Sequence, residues 1–280
     1  MSIDAFMRDG AVLDGRFARG WLSRVLWGRM PRVVRVADSA AAPSGTIERR
    51  LGAGVVLGFP EMHAVSLQTL RRFAKNTAPL IVVVDSDVGS ESGVFERRID
   101  ALGRAMDGAV APWIVAVPLR ADAGGEGRAH ARATLRAAAS LGVPVVAQTP
   151  LALPPEDAAD IAREAGCAAV LMDGSMPLSA VPADARRVFF GSSDLSHGGQ
   201  HRAVFGKYLR PLAVEWVARF NRSRLGVPLI AAGGVLRRSD VGRFAAAGAA
   251  AVVLDAVFSV RPWNSLGILS RSRRAFPPRP

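Results

Sequence analysis

Short apolar runs alternate with helical stretches along most of the chain, and this alternation restricts the possible folds most strongly. The sequence predicts strands at Val33–Ala37, Val55–Leu57, Leu80–Val84, Trp113–Val117, Val145–Ala147, Ala169–Met172, Leu229–Ala232 and Ala251–Leu254. It predicts helices at Thr46–Leu51, Ser66–Lys75, Phe95–Met106, His130–Leu141, Pro155–Ala165, Tyr208–Phe220 and Ser239–Ala247. Continuous Val, Ile, Ala and Leu runs are typical of a parallel sheet that is buried on both faces. We therefore expect an α/β fold, an eight-stranded parallel TIM barrel, with an open doubly wound sheet as the alternative.

The predicted barrel occupies residues 33–264 and has a short extension on each side. In residues 1–32, Phe17, Trp21 and Val25 recur at helical spacing among arginines, which predicts a basic amphipathic helix. Such a helix either closes the bottom of the barrel or contacts a membrane surface or a protein partner. Residues 265–280 end in a run of Arg, Ser and Pro, which predicts a basic, flexible tail.

Composition narrows the classes of partner. The net charge of +12 comes almost wholly from arginine, and such a surface attracts phosphorylated or acidic small molecules. One tyrosine and scattered arginines do not predict a specific nucleic-acid site. Cys167 stands alone and cannot form an internal disulfide, and no apolar run approaches the ~20 residues of a membrane-spanning helix. We expect a cytoplasmic protein, and a homo-oligomer remains open.

A glycine pair after the predicted seventh strand is the sharpest local motif. Gly233 and Gly234 follow Leu229–Ala232, and Ala251–Leu254 comes next after a helix and an Ala-Gly-Ala turn. Glycines let backbone N–H groups approach a phosphate closely, and helix N-termini add a partial positive charge. A phosphate site recurs at this place in α/β barrels. The sequence predicts a phosphate-binding corner here, and the alternative is a tight turn that binds nothing.

The stretch before this corner carries a resemblance to a known family. Residues 205–217, Phe-Gly-Lys-Tyr-Leu-Arg-Pro-Leu-Ala-Val-Glu-Trp-Val, are similar to the Ser-Gly-x-x-x-Lys-Pro-x-Ala-x-x-x-Val segment of the dihydroorotate dehydrogenase family. The spacing to the glycine pair also agrees. The resemblance implies an FMN-dependent oxidoreductase of the CH-CH dehydrogenase type. It implies that the FMN phosphate lies against the backbone of Gly206, Gly233 and Gly234, with Asp255 and Ala256 following strand eight beside it.

Several positions depart from the family pattern. Asp255-Ala256 stands where the family has Gly-Thr, Gln148 replaces a lysine near the flavin ring, and Asp173-Gly174 replaces Asn-Thr. A carboxylate opposes phosphate, and glutamine offers a hydrogen bond without a charge. The family's substrate-reading asparagines are also missing, which argues against dihydroorotate as the substrate.

Three functions stay open. The first is an FMN oxidoreductase that acts on another small substrate. The second is a non-redox barrel, a lyase, isomerase or synthase, that binds a substrate phosphate. The third is a catalytically silent paralogue that serves as a subunit or scaffold.

Residues that could carry chemistry follow the predicted strands. Those at or just beyond strand ends are Asp38, Asp85, Asp87, Arg120, Gln148, Asp173 and Asp255. The catalytic candidates are Asp173, Gln148 and His197. His197 lies in a long loop between Gly174 and Lys207, which is either a lid or binding loop or a disordered surface excursion. His197 and His201 are four residues apart, but the glycines between them disfavour a metal-binding helix, so we predict no metal site.

Overall fold

A computed structural model of the chain describes residues 3–14, 30–36, 49–51, 55–58, 65–85, 93–120, 125–190, 203–223 and 226–276. The strands among these residues are β1 (Ala11–Asp14), β2 (Arg32–Val36), β3 (Arg49–Leu51), β4 (Val55–Gly58), β5 (Leu80–Val84), β6 (Trp113–Pro118), β7 (Val145–Thr149), β8 (Ala169–Met172), β9 (Ser175–Pro177), β10 (Ala203–Gly206), β11 (Leu229–Ala231) and β12 (Ala251–Leu254). The α-helices are α1 (Asp4–Met7), α2 (Leu67–Ala74), α3 (Val94–Met106), α4 (Gly125–Ala139), α5 (Pro155–Glu164), α6 (Ala183–Phe190), α7 (Arg210–Arg222), α8 (Arg238–Ala247), α9 (Val257–Val260) and α10 (Ser265–Ala275). Short 3-10 turns cover Leu178–Ala180, Lys207–Leu209 and Pro262–Asn264.

Eight of the strands close into a parallel barrel, which confirms the predicted TIM-barrel fold. Around the barrel the order is β1, β2, β5, β6, β7, β8, β11 and β12, so neighbours in space are neighbours along the chain. Leu80 of β5, for example, lies opposite Arg32 on one side and Trp113 on the other. Every residue of β5, β7, β8 and β12 is buried, as expected where helices cover the outer face and side chains fill the interior.

The first barrel strand lies in the segment predicted to be an extension. Strand β1 pairs with β12 on one side and with β2 on the other. Its apolar residues Ala11, Val12 and Leu13 are fully buried, but a run this short does not distinguish a strand from a helix by periodicity. The predicted amphipathic helix around Phe17 and Trp21 lies outside the described residues.

The predicted barrel strand at Val55–Leu57 is wrong, because β4 belongs to a second, antiparallel sheet with the order β3-β4-β10-β9. The helix predicted at Thr46–Leu51 is also wrong over Arg49–Leu51, which form β3 and pair with β4. Strand β4 pairs as well with β10, which is far away along the chain, and a local pattern cannot reveal such a partner. The predicted long loop contains β9, α6 and β10.

Part of the predicted flexible tail is helical and packed. Ile268 and Leu269 of α10 are buried, and a Cβ atom on Gly10 would lie 2.9 Å from the Cβ of Phe276. The structure therefore joins β1 and α10, which lie outside the predicted 33–264 segment, to the barrel. None of the helices described here is long and apolar enough to cross a membrane.

Arg32 is a charged exception in the core. It is fully buried at the start of β2, and its guanidinium lies 4.6 Å from the centre of the Phe73 ring. Burial lowers the pKa of Arg32 to about 10. Because it lies at the amino end of its strand, Arg32 belongs to the stability face of the barrel rather than to its functional rim.

Candidate functional site

The carboxyl ends of the barrel strands bring the candidate residues to one rim. Gln148 lies in β7, while Asp85, Asp173 and Asp255 directly follow β5, β8 and β12. Parallel strands end on the same side of a barrel, and this side carries the functional residues in such folds. Arg120 lies two residues after β6 and is exposed. The other candidates, Asp38, Asp87, His197 and His201, lie outside the described residues.

The three glycines of the predicted corner lie together. Gly206, Gly233 and Gly234 have φ angles of 99°, 106° and 83°, which L-amino acids with side chains rarely adopt. A Cβ atom on Gly234 would lie 2.5 Å from the Gly206 carbonyl oxygen, and one on Gly233 would lie 3.1 Å from the Cβ of Ala213. No side chain projects from these three backbone positions, and the neighbouring atoms leave little room for one at Gly233 or Gly234. Its role in binding phosphate stays a prediction.

Not all of the amides near this corner are available to a ligand. The N–H groups of Leu236 and Arg237, before α8, donate to Oδ2 of Asp240 at 3.0 and 2.9 Å. Asp240 is buried, and its Oδ1 accepts from Arg210 at 2.8 Å. The start of α8 is thus capped by its own carboxylate. For the amides of Gly233 and Gly234, in contrast, no acceptor is found among the described residues.

Asp255 lies inside the corner. It is fully buried, and its Oδ1 accepts from the N–H of Ala256 at 2.5 Å. A Cβ atom on Gly174 would lie 2.5 Å from Asp255 Oδ2 and 3.2 Å from the Gly233 nitrogen. The carboxylate therefore occupies the space that a side chain at position 174 would need. The two departures from the family pattern, Asp255 and Gly174, are sterically matched.

The contact between Gly174 and Asp255 cannot be predicted from the sequence. Gly174 replaces a threonine of the family pattern, but it lies two residues after β8, whereas Asp255 directly follows β12. The sequence contains one indication of the contact, since a smaller residue (Gly174) and a larger one (Asp255) replace family residues after two strands of the same rim. A contact between them could be inferred only with the barrel order and the strand registers known.

Gln148 lies in β7, and Asp173 directly follows the adjacent strand β8. Thr149 pairs with Met172 across β7 and β8, and the Asp173 N–H donates to the Thr149 carbonyl at 2.8 Å. Gln148 is buried, and its Oε1 has no hydrogen-bond partner in the described part of the chain. Buried polar atoms are usually paired, so an unpaired one at a barrel rim is a candidate ligand contact. Asp173 Oδ1 accepts from the Ser175 N–H at 3.2 Å, which fixes the carboxylate.

Two other reactive groups have structural explanations. Asp85 forms an ion pair with Arg35, and its carbonyl accepts from Arg98 at 2.8 Å. Burial raises the pKa of the Cys167 thiol to about 12, so the thiol stays protonated and unreactive near neutral pH. Over the described ranges, no three His, Cys, Asp or Glu side chains are grouped to hold a metal ion.

Comparisons with known proteins bear on the fold. No family model matches the sequence, and no curated protein matches it. Solved structures of DHODH, dihydroorotate dehydrogenase, from Eimeria tenella are similar to most of the chain. The ligand-free form has a TM-score of 0.65 at 14% identity, covering 96% of this chain and 83% of that one. The complex with ferulenol has a TM-score of 0.56 at 14% identity, covering 79% and 67%. The chain therefore has a DHODH-like fold.

Proposed function

We propose that this chain is a divergent dihydroorotate dehydrogenase-like flavoprotein, an FMN-dependent oxidoreductase that acts on a small substrate other than dihydroorotate. The observation that supports the proposal most strongly is the corner of Gly206, Gly233 and Gly234, where the backbone carries no side chain. It lies where α/β barrels bind phosphate. The DHODH-like fold, which extends over 96% of the chain, supports the same proposal at the level of the fold.

The described residues fit FMN at two places. The amides of Gly233 and Gly234 lack acceptors within the described ranges, and backbone N–H groups of this kind hold phosphate oxygens. The carboxamide of Gln148 can both accept from and donate to the edge of a planar ring, and its Oε1 is buried and unpaired there. When bound, FMN would supply the electron acceptor for the reaction.

Asp173 is our candidate for the proton carrier. It directly follows β8, the strand next to the one that carries Gln148, and its side chain is partly exposed. The N–H of Ser175 donates to Oδ1 of Asp173, which positions the carboxylate for proton transfer with a substrate. His197 remains a second candidate from the sequence.

Asp255 sets a condition on this function. Two unit charges ~5 Å apart repel by about 3 kcal/mol at an effective dielectric constant of ~20, which equals about 100-fold in affinity. The buried carboxylate of Asp255 lies beside the Gly233 amide, so an ionised Asp255 would weaken phosphate binding by an amount of this order. Asp255→Asn removes this charge, so the substitution should tighten FMN binding.

The same residue favours a second candidate function. A carboxylate that fills the corner and accepts the Ala256 N–H can act as the resident anion of the site. In that case the chain would be a catalytically silent barrel, retained as a subunit or scaffold. This candidate predicts a stable partner that co-purifies with the full chain and no affinity for flavins.

Parallel titrations with FMN and riboflavin test the first proposal. The two ligands share the ring but differ in the phosphate, so the corner should make FMN bind at least about 10-fold more tightly. Flavin fluorescence and the visible absorption spectrum report binding directly. Equal affinities for FMN and riboflavin would show that the corner does not bind the phosphate. If neither flavin binds, the catalytically silent barrel is favoured.

A further inference from the structure

A cavity lies between the start of α8 and the chain that leads into α10, and its lining includes none of the residues proposed to bind flavin. Its volume is about 380 Å³, and its lining residues are Arg237, Arg238, Arg261, Trp263, Asn264 and Gly267. This volume is within the range of small-molecule sites in proteins, roughly 300–1,000 Å³. The cavity combines three guanidinium groups with one indole ring, and neither the flavin proposal nor the fold uses these groups.

The charge around this cavity is positive. Residues 226–276 contain seven arginines, of which Arg273 pairs with Asp9, and two acidic residues, Asp240 and Asp255, both buried. Asp240 is already paired with Arg210. For Arg237, Arg238 and Arg261, no ion pair occurs within the described residues. Guanidinium groups gathered without acids form a site that attracts an anion, and their fork geometry suits phosphate oxygens.

The pocket is held by specific contacts. Asn264 Nδ2 donates to the Leu236 carbonyl at 2.8 Å, which ties the chain beside Trp263 to the start of α8. The guanidinium of Arg238 lies directly over Gly267, where an added Cβ atom would be 2.8 Å from Nη2 and 2.9 Å from Cζ. Glycine at position 267 therefore makes room for this guanidinium in its observed place.

The remaining feature is an exposed aromatic ring. Trp263 lines the cavity and is 72% exposed. Leu266 follows three residues later, and it is 56% exposed. A large aromatic side chain left in water beside cations provides a stacking surface for a planar ring. We propose that this pocket binds a phosphorylated ligand with an aromatic ring, of the nucleotide class. The phosphates pair with Arg237, Arg238 and Arg261, and the ring stacks on Trp263.

The same groups could also attract an anionic lipid surface, but the pocket favours a small ligand. Membrane contact needs a broad apolar face, and here the apolar part consists only of Trp263 and Leu266 beside an open cationic cavity. A nucleotide uses the cavity and the ring together. Lipid binding is therefore an alternative outcome of the test.

The test is a calorimetric titration of the full chain with ADP, inorganic phosphate and adenosine. ADP should bind with a 1:1 stoichiometry, and saturating FMN should leave its affinity unchanged because the two sites are separate. Arg261→Gln should weaken ADP binding by about 10-fold or more, since one charge-assisted contact is lost. Trp263→Leu should weaken ADP binding about 10-fold and leave phosphate binding unchanged.

Two further variants separate geometry from net charge. Gly267→Ala keeps every charge but forces the Arg238 guanidinium to move, so ADP affinity should fall at least about 3-fold. The melting temperature should not fall, because alanine is the better helix former. Arg243→Gln is the matched control, since Arg243 is exposed on α8 and does not line the cavity. Its ADP affinity should equal that of the unmodified chain.

Three results would overturn the proposal. The first is a loss of affinity in Arg243→Gln as large as that in Arg261→Gln, which indicates general attraction to a basic surface. The second is competition between FMN and ADP, which indicates a shared site. The third is the lack of saturable ADP binding together with Trp263-dependent sedimentation on phosphatidylglycerol vesicles, which identifies the surface as a lipid contact.

Discussion

The contact between Gly174 and Asp255 makes a quantitative prediction about stability. Gly174 has no left-handed backbone angle, so alanine fits its backbone, and any cost of Gly174→Ala arises from the added methyl group. That group would lie 2.5 Å from Asp255 Oδ2 and 3.1 Å from the Cβ of Ala232. Overpacking of a buried site lowers the free energy of unfolding by about 1–3 kcal/mol. Replacing glycine with alanine also reduces the entropy of the unfolded chain, which raises that free energy by about 0.4–1 kcal/mol.

The net expectation for Gly174→Ala is a destabilisation of about 1–2 kcal/mol. The melting temperature should fall by about 2–4 °C per kcal/mol in a domain of this size. Urea unfolding followed by circular dichroism measures the free energy. In a chain that already carries Asp255→Ala, the same substitution should cost less than about 0.5 kcal/mol, which gives a coupling energy of at least about 1 kcal/mol.

Gly125→Ala is the control for the general effect of adding a methyl group. No atom lies within 4 Å of a Cβ atom on Gly125, so its free energy of unfolding should be unchanged or slightly higher. The steric explanation is refuted if Gly174→Ala is as stable as the unmodified chain. It is also refuted if the substitution costs the same with and without the Asp255 side chain, because the clash would then be with Ala232 or the backbone.

Three further predictions concern single residues. Gly234→Ala should cost at least about 2 kcal/mol in urea unfolding, because φ is 83° and the methyl group would meet the Gly206 carbonyl; stability equal to the unmodified chain would contradict it. Asp240→Asn should lower the free energy of unfolding by about 3–5 kcal/mol, since it leaves the Arg210 charge partly buried without its partner; a loss below about 1 kcal/mol would indicate a solvated pair. The Cys167 thiol has its pKa raised to about 12, so alkylation at about pH 8 should be slow in the folded chain and fast in urea; equal rates would show an accessible thiolate.

Much of the fold could be predicted because the barrel strands carry their own signal. Leu80–Val84 and Ala169–Met172 are continuous apolar runs, and both are barrel strands with the predicted bounds. Strand β1 is not predicted because its apolar part is only three residues long. Val55–Leu57 was misplaced because it is also a short apolar run, and its partner β10 is remote in sequence. Local periodicity predicts whether a segment is a strand or a helix more reliably than it predicts which strand the segment pairs with.

The candidate site could also be predicted only in part. The corner of Gly206, Gly233 and Gly234 could be expected because glycine marks backbone positions that side chains exclude. The sequence also shows that Asp255 departs from the family pattern, but not that its carboxylate points into the corner and fills the space above Gly174. That fact depends on the distance between two strand ends, which no spacing along the chain encodes.

The most direct test of the central claim is the affinity for FMN of the unmodified chain and of Asp255→Asn. Asp255→Asn should bind FMN at least about 10-fold more tightly than the unmodified chain, since the repulsion between the carboxylate and the phosphate is removed. Unchanged affinity in Asp255→Asn, or no binding by either protein, would contradict a phosphate site at this corner.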